Sequence, residues 1–313
     1  MTWQTIVVLI ESIIFVPLYI LILIVILQRR KTSSVFQNHY YTLVISQALV
    51  DFFAIFFIIS IIFPRSFSIG NDFYYLSSFS NQIAASYANS GAFCFIIRLF
   101  GISLITYQRY FTLCWPKSKI TLRLKNCKPI SLIIFHWLFS IVVFAPTFSL
   151  YDTYFVDSTS LFLITSDINR RRFGILIISS FAILTPITLF MYSRILAVIC
   201  SKNNNSGSTY RAKYQGHRLC FHIFLLILMS TLIFLYQCGE TSFANSAPNE
   251  YITIVRRFHP ILSGNFSFIN PLVLILLNKD IQSSMKIFLC SKEAKQIVSD
   301  SNQRPVRNIT AVT

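Results

Sequence analysis

Four ionisable side chains stand where a strongly apolar chain has little reason to carry them: Glu11, Asp51, Arg98 and Arg109. Asp51 lies in HYYTLVISQALVDFFAI and Arg98 in AFCFIIRLFGIS, each deep inside a long apolar run. A lone charge in hydrocarbon costs several kcal/mol, so these two are expected to face a protein interior and to find a partner there. Glu11, close to the outer end of its run, is expected instead to snorkel or be protonated, with a polar contact inside the bundle as the alternative. The chemistry open to such a set is ion pairing and switching rather than bond making. An intramembrane enzyme would need paired carboxylates, a His cluster or a Ser/His set at one depth, and the sequence shows none. His217 and His222 are five apart, off a common helical face, and the seven cysteines have no metal spacing, so neither a metal nor a cofactor is expected.

The elements that position these residues are read from hydropathy. Of 313 residues, 54% are hydrophobic and 12% charged, with a mean hydropathy of +0.62, whereas soluble domains carry about a quarter charged residues. Apolar runs long enough to span a bilayer core of about 30 Å recur along the chain. They predict helices over about 5–27, 41–63, 82–108, 130–150, 173–199, 219–238 and 254–277. The expected fold is an all-α membrane protein, a seven-transmembrane helix bundle over residues 1–290 with a polar, disordered tail over 291–313. Arg98 and Arg109 share the third run, about 16 Å apart along a helix at 1.5 Å per residue, with Gln108-Arg109-Tyr110 closing it.

Charge sets the orientation. Twenty of the 27 Lys and Arg fall on the side of the odd-numbered connections and the tail, six on the side of the even-numbered ones, and Arg98 lies within the membrane. Cytoplasmic loops carry the excess, so the N-terminus is expected outside and the tail inside. The net charge of +16 therefore reports orientation and contact with anionic membrane lipids rather than nucleic acid, for which there is no basic aromatic platform. After the seventh run, DIQSSMKIFLC places Ile281, Met285 and Phe288-Leu289 at helical spacing. This predicts a short amphipathic helix 8 on the inner leaflet, with Cys290 a candidate for palmitoylation or simply an unmodified thiol.

Several residues together resemble a rhodopsin-like G-protein-coupled receptor: Gln108-Arg109-Tyr110 at the end of helix 3, Pro116 seven residues after Arg109, Trp137 in helix 4 and Asn270-Pro271 in helix 7. The family's Asp-Arg-Tyr has Gln108 in first place here, its Asn-Pro-x-x-Tyr has Leu274 in last place, and helix 6 carries no Cys-Trp-x-Pro. These departures, the Glu11…Pro17-Leu18-Tyr19 start and the Phe- and Ile-rich helices are more similar to the nematode serpentine chemoreceptors. Within those, the chain is identified as a member of the Srg superfamily, class V (Srv).

The resemblance implies a small ligand of the odorant or pheromone class bound in the outer half of the bundle. It implies a heterotrimeric G protein engaged at the inner face, and a location in the plasma membrane with the sensory cilium as a candidate site. Arg109 maps onto the arginine that changes partners on activation; the alternative is a boundary arginine held by lipid phosphate. With Gln108 replacing the acid, a looser inactive lock and measurable basal activity are expected. In the resembled family the helix 2 aspartate and a helix 3 hydroxyl hold a sodium ion near the helix 7 asparagine. Here Arg98 occupies the helix 3 place, so an Asp51–Arg98 ion pair near Asn270 is expected to stand in for the cation; alternatively Arg98 points to Glu11 or a backbone carbonyl. Ligand-pocket candidates are Gln82, Ser86, Asn89 and Phe93 on helix 3, Tyr236 and Gln237 on helix 6, and Phe258 and His259 on helix 7, each open to a packing role instead. Many such receptors tie helix 3 to the second outer loop by a disulfide. That loop has no cysteine here, so no disulfide and a weakly constrained loop are expected. The rival architectures are a transporter with broken midplane helices and a ligand-gated channel with its N-terminus inside.

Overall fold

The computed structural model describes residues 3–148, 152–158, 161, 163–205, 225, 228–236, 238–239 and 250–288. Gln237, His217, His222, Cys290, the tail and most of the connection around residues 206–218 lie outside them, as does the side chain of His259.

The chain forms α1 (Trp3–Arg30), α2 (His39–Phe67), a short α3 (Asn71–Leu76), α4 (Ser80–Cys114), α5 (Lys119–Asn126) and α6 (Pro129–Phe144). A 3₁₀ turn (Ala145–Thr147) follows, then β1 (Thr153–Phe155), β2 (Leu163–Thr165) and α7 (Asp167–Asn205). Residues 228–236 are helical and are termed α8; α9 (Glu250–Leu277) and α10 (Lys279–Phe288) complete the described chain. Among the described residues five helices, α1, α2, α4, α6 and α7, are long and apolar enough to cross a bilayer, and the bent pair Pro260–Leu276 and Lys279–Phe288 makes a sixth if taken as one span. The apolar stretch of α4 is 78% buried, against 22–44% for the other four, which makes it the central helix. It touches α2, α6 and α7, while α9 closes the bundle against α1 and α2. Ile10, Ile13, Ile14, Ile20 and Leu27 of α1 are exposed. Such a stripe is a liability in water, and here it belongs against lipid.

Helix ends differ from hydropathy because capping chemistry, not apolar run length, stops a helix. Asn38 caps α2 through Tyr40 N at 3.3 Å. The fourth helix runs past Tyr110 to Cys114 and ends where Pro116 cannot continue it, so Arg109 lies within the helix rather than closing it. Ser118 Oγ accepts from Thr121 N at 3.1 Å and starts α5, a helix inside the basic connection that hydropathy leaves as a loop. The expected helix over 130–150 breaks instead at Ala145–Thr147, with Pro146 in the 3₁₀ turn. By contrast α1 continues through Pro17 and α7 through Pro186. In a membrane bundle, neighbouring groups can satisfy the carbonyls such prolines free.

The connection between α6 and α7 corrects a further expectation. Its described residues are not weakly constrained, although no disulfide ties them. The strands β1 and β2 pair antiparallel with Phe155 opposite Leu163, and Phe155 and Leu161 bury against Ala84 of α4. Arg65 Nη2 donates to Leu161 O at 2.7 Å, and Asn169 Nδ2 donates to Asp152 Oδ2 at 2.7 Å. Hydrogen bonds and a small apolar cluster do the restraining.

Two main cores divide the bundle. Near the hairpin, Phe95, Ile96, Phe144, Phe173, Met229 and Phe266 pack together from α4, α6, α7, α8 and α9. At the opposite end, Tyr19, Ile22, Tyr41, Val44, Leu274 and Ile281 join α1, α2, α9 and α10. The axis of Lys279–Phe288 turns by 80° from that of Pro260–Leu276. Ile281 is fully buried and Met285 packs beside it, whereas Lys279, Lys286 and Ile287 are exposed.

Candidate functional site

Between the two cores lies a buried charged hub. Arg98 Nε approaches Asp51 Oδ1 to 3.0 Å, with 2% and 0% of the two side chains exposed. The contact is an ion pair by distance, its N–H not aimed at the oxygen. Asp51 Oδ2 accepts from Tyr19 OH of α1 at 3.0 Å and from Asn270 Nδ2 of α9 at 2.8 Å. Arg98 Nη1 donates to Ser263 O and Oγ, both at 3.4 Å, and Nη2 donates to Ser267 Oγ. Its guanidinium also stands 5.6 Å from the Phe266 ring centroid. Ser263, Ser267 and Asn270 are spaced as one face of α9. One carboxylate and one guanidinium thus bind four helices to each other. Glu11 is not part of the hub: its Oε2 is enclosed on the Gly264 side of α9.

Beside the hub a second polar cluster pins α6. His136, fully buried, contacts Ile97 O through Nε2 at 2.9 Å and Ser46 Oγ through Nδ1 at 2.9 Å. Trp137 Nε1 donates to the same hydroxyl at 3.1 Å. Gly101 makes this approach possible, since a Cβ there would sit 2.6 Å from His136 Nε2 and inside Gln47 Oε1.

Toward the α10 end, the guanidinium of Arg109 lies 4.0 Å over the Tyr40 ring, with Tyr41 and Tyr192 its further polar neighbours. Gln108 turns away from it, toward Asn38 Oδ1 at 3.4 Å and Thr112 Oγ1 at 3.3 Å. Tyr110 OH accepts from Trp115 Nε1 at 3.1 Å, and Pro116 is exposed beyond the helix. Asn278 ties α2 to the bend before α10, donating to Tyr41 OH at 3.0 Å and accepting from Ile281 N at 3.2 Å. Pro271 and Leu274 are buried in α9.

Toward the hairpin, a cavity of about 320 Å³ opens between α2, α4, α7, α8, α9 and β2. Arg98 forms part of its wall, so the hub is reached from this space.

The model of one protein family matches residues 8–289, described as serpentine type 7TM GPCR chemoreceptor Srv. The match takes in α1 from residue 8, the other described spans, the hub, the cavity and α10. The chain belongs to the Srv family of serpentine chemoreceptors. It is a multi-pass membrane protein of a chemoreceptor family that is not an enzyme family. No curated protein matches the chain.

In this Srv receptor the cavity is walled by a different stripe of α4 from the one the sequence suggests. Of the pocket candidates whose side chains are described, Tyr236 lines it. Gln82 and Ser86 do not, Ser86 Oγ donating to Gln82 O at 2.7 Å. Asn89 is buried elsewhere, Phe93 packs on Phe144, and Phe258 packs edge-on against Trp3 at 5.8 Å. The lining residues of α4 include Tyr87, Gly91, Cys94 and Arg98. The signal was available: counting back from Arg98 by four, seven and eleven gives that stripe. For Tyr19, Ser263 and Ser267 no equivalent signal exists, since single hydroxyls are common in apolar helices.

Proposed function

We propose that this Srv receptor binds a small organic ligand in the hairpin-end cavity and passes the event through the Asp51–Arg98 hub to the end bearing Arg109, where a heterotrimeric G protein couples. The observation that carries this reading is that one residue, Arg98, both lines the cavity and holds α2 and α9 to α4. A ligand that shifts Arg98 changes a contact shared by four helices, and it acts by favouring the state it binds better. The excess of Lys and Arg in the connections at the α10 end supports that end facing the cytosol and the N-terminus facing outside. It also supports contact with anionic lipid and residence in the plasma membrane.

Arg109, with Tyr40 as its resting partner, is the switch at the coupling end, and Asn270-Pro271 and Gln108-Arg109-Tyr110 are its frame. Because Gln108 engages Asn38 and Thr112 rather than Arg109, the arginine is held without a neighbouring acid, and basal signalling follows. The experiment is a heterologous G-protein reporter with tags on both termini. Signal above empty vector that disappears in Arg109→Ala at equal surface level supports the reading. A first residue found in the cytosol, or basal signal indifferent to Arg109, refutes it.

A further inference from the structure

The sequence puts Arg65, Arg170, Arg171 and Arg172 at the hairpin end of the bundle. Arg171 and Arg172 are exposed, but Arg65 and Arg170 line the cavity with Arg98. No Asp, Glu or Lys is among the described residues that line it. Arg98 is committed to Asp51, Ser263 and Ser267. Arg65 is not used up: Nη2 serves Leu161 O, while its enclosed Nε has no hydrogen-bond partner. Arg170 Nη2 gives Thr165 O a bond at 3.2 Å, so one arginine holds the last residue of β2 and the other a residue just before it, while both border the same space. Asp157 beside Arg65 and Asp51 behind Arg98 are acidic neighbours that lie off the lining. Much of the remaining wall is apolar, with Phe57 and Ile61 from α2 and Phe173 and Ile177 from α7.

We infer that this cavity takes an organic anion, its carboxylate-type head group on Arg65 with Arg170 as second cation, and its apolar body between α2 and α7. The inference rests on the reading of the cavity as the ligand site and names the chemistry of its ligand. A guanidinium presents a planar fork that matches a carboxylate. In an apolar enclosure that attraction is far stronger than in water, and an ammonium is repelled. The volume falls within the range of about 300–1,000 Å³ usual for small-ligand pockets.

The test uses purified full-length receptor in phosphatidylcholine nanodiscs. Straight-chain carboxylates of six to twelve carbons are compared with their methyl esters and the matching primary amines by thermal shift and competition. The expected result is stabilisation by the acids, with the ester weaker by about tenfold or more in apparent affinity, as for loss of a charge-assisted hydrogen bond, and the amine without effect. Arg170→Gln and Arg65→Gln should each remove most of the acid's advantage and Arg65→Lys restore part of it; should Arg65→Gln fold poorly, Arg170→Gln alone decides. Esters or amines that stabilise as well as the acids overturn the anion assignment while leaving the cavity a ligand site. No shift with any head group overturns both. Stabilisation by phosphatidylglycerol discs alone, lost in Arg170→Gln, assigns the arginines to lipid and overturns the diffusible ligand.

Discussion

The hub makes the sharpest demand. In Asp51→Asn the side chain keeps its shape but exchanges one oxygen for an NH₂ group. If the NH₂ takes the place of Oδ1, its positive hydrogens face the cationic Arg98 guanidinium, with Nε 3.0 Å away. If it takes the place of Oδ2, it faces Tyr19 OH at 3.0 Å and Asn270 Nδ2 at 2.8 Å, two present donors. Neither rotamer satisfies both sides, and in each Arg98 keeps a charge that is 2% exposed with no carboxylate beside it. Removing one partner of a buried pair costs about 3–5 kcal/mol, roughly two to four orders of magnitude in the ratio of folded to unfolded protein. Arg98→Met should cost a comparable amount by stranding Asp51. The exchange Asp51→Arg with Arg98→Asp restores the pair, but only in part, because the carboxylate now faces Ser263 O, a carbonyl that formerly accepted from Arg98. The assay is surface biotinylation in cells with detergent thermal unfolding, wild type, both single variants, the exchange and an Asp51→Leu/Arg98→Met double in parallel. Either single variant should lose most surface protein, the exchange should regain a measurable part, and the apolar double should lie above the singles. An exchange no better than the worse of its two single changes would refute the coupling between these charges.

Three other outcomes follow from the same geometry. Gly101→Ala drives a methyl into His136 and Gln47, so it should lower the unfolding temperature by the equivalent of about 1–3 kcal/mol; Gly91→Ala, whose Cβ meets nothing within 4 Å, should unfold as wild type does. Leu161→Ala empties the fully buried seat that clasps the hairpin to α4. A loss of about 2–5 kcal/mol should appear as faster hydrogen exchange over residues 152–166 with the spans unaffected. Tyr40→Leu removes the ring beneath Arg109, a contact worth about 0.5–2 kcal/mol. The G-protein reporter should therefore show higher basal signal than wild type, while Tyr40→Phe, which keeps the ring, should stay near wild type.

The position of the long apolar helices was legible in the chain. Hydropathy located the spans to within a few residues at α2, whereas caps and prolines, which hydropathy does not weigh, moved the ends of α4, α6 and α7. The candidate ligand residues were less legible. The stripe 82, 86, 89, 93 and the stripe 87, 91, 94, 98 have the same spacing. They differ by five positions, about 140° around a helix of 3.6 residues per turn. Choosing by polarity favoured the first stripe, but polar groups such as Ser86 satisfy themselves on their own backbone. The cavity belongs to the stripe that the buried arginine faces.

The class of the protein, its membrane-spanning character and the need of Asp51 and Arg98 for partners were all settled by the amino-acid order alone. The cost of placing backbone or charge in hydrocarbon depends only on what each segment contains. Packing alone decided which hydroxyls from α1 and α9 serve the pair, which face of α4 borders the cavity, and that β2 forms part of its wall. Composition fixes how deep a residue sits, but the direction it faces around its helix depends on which neighbours the other helices bring.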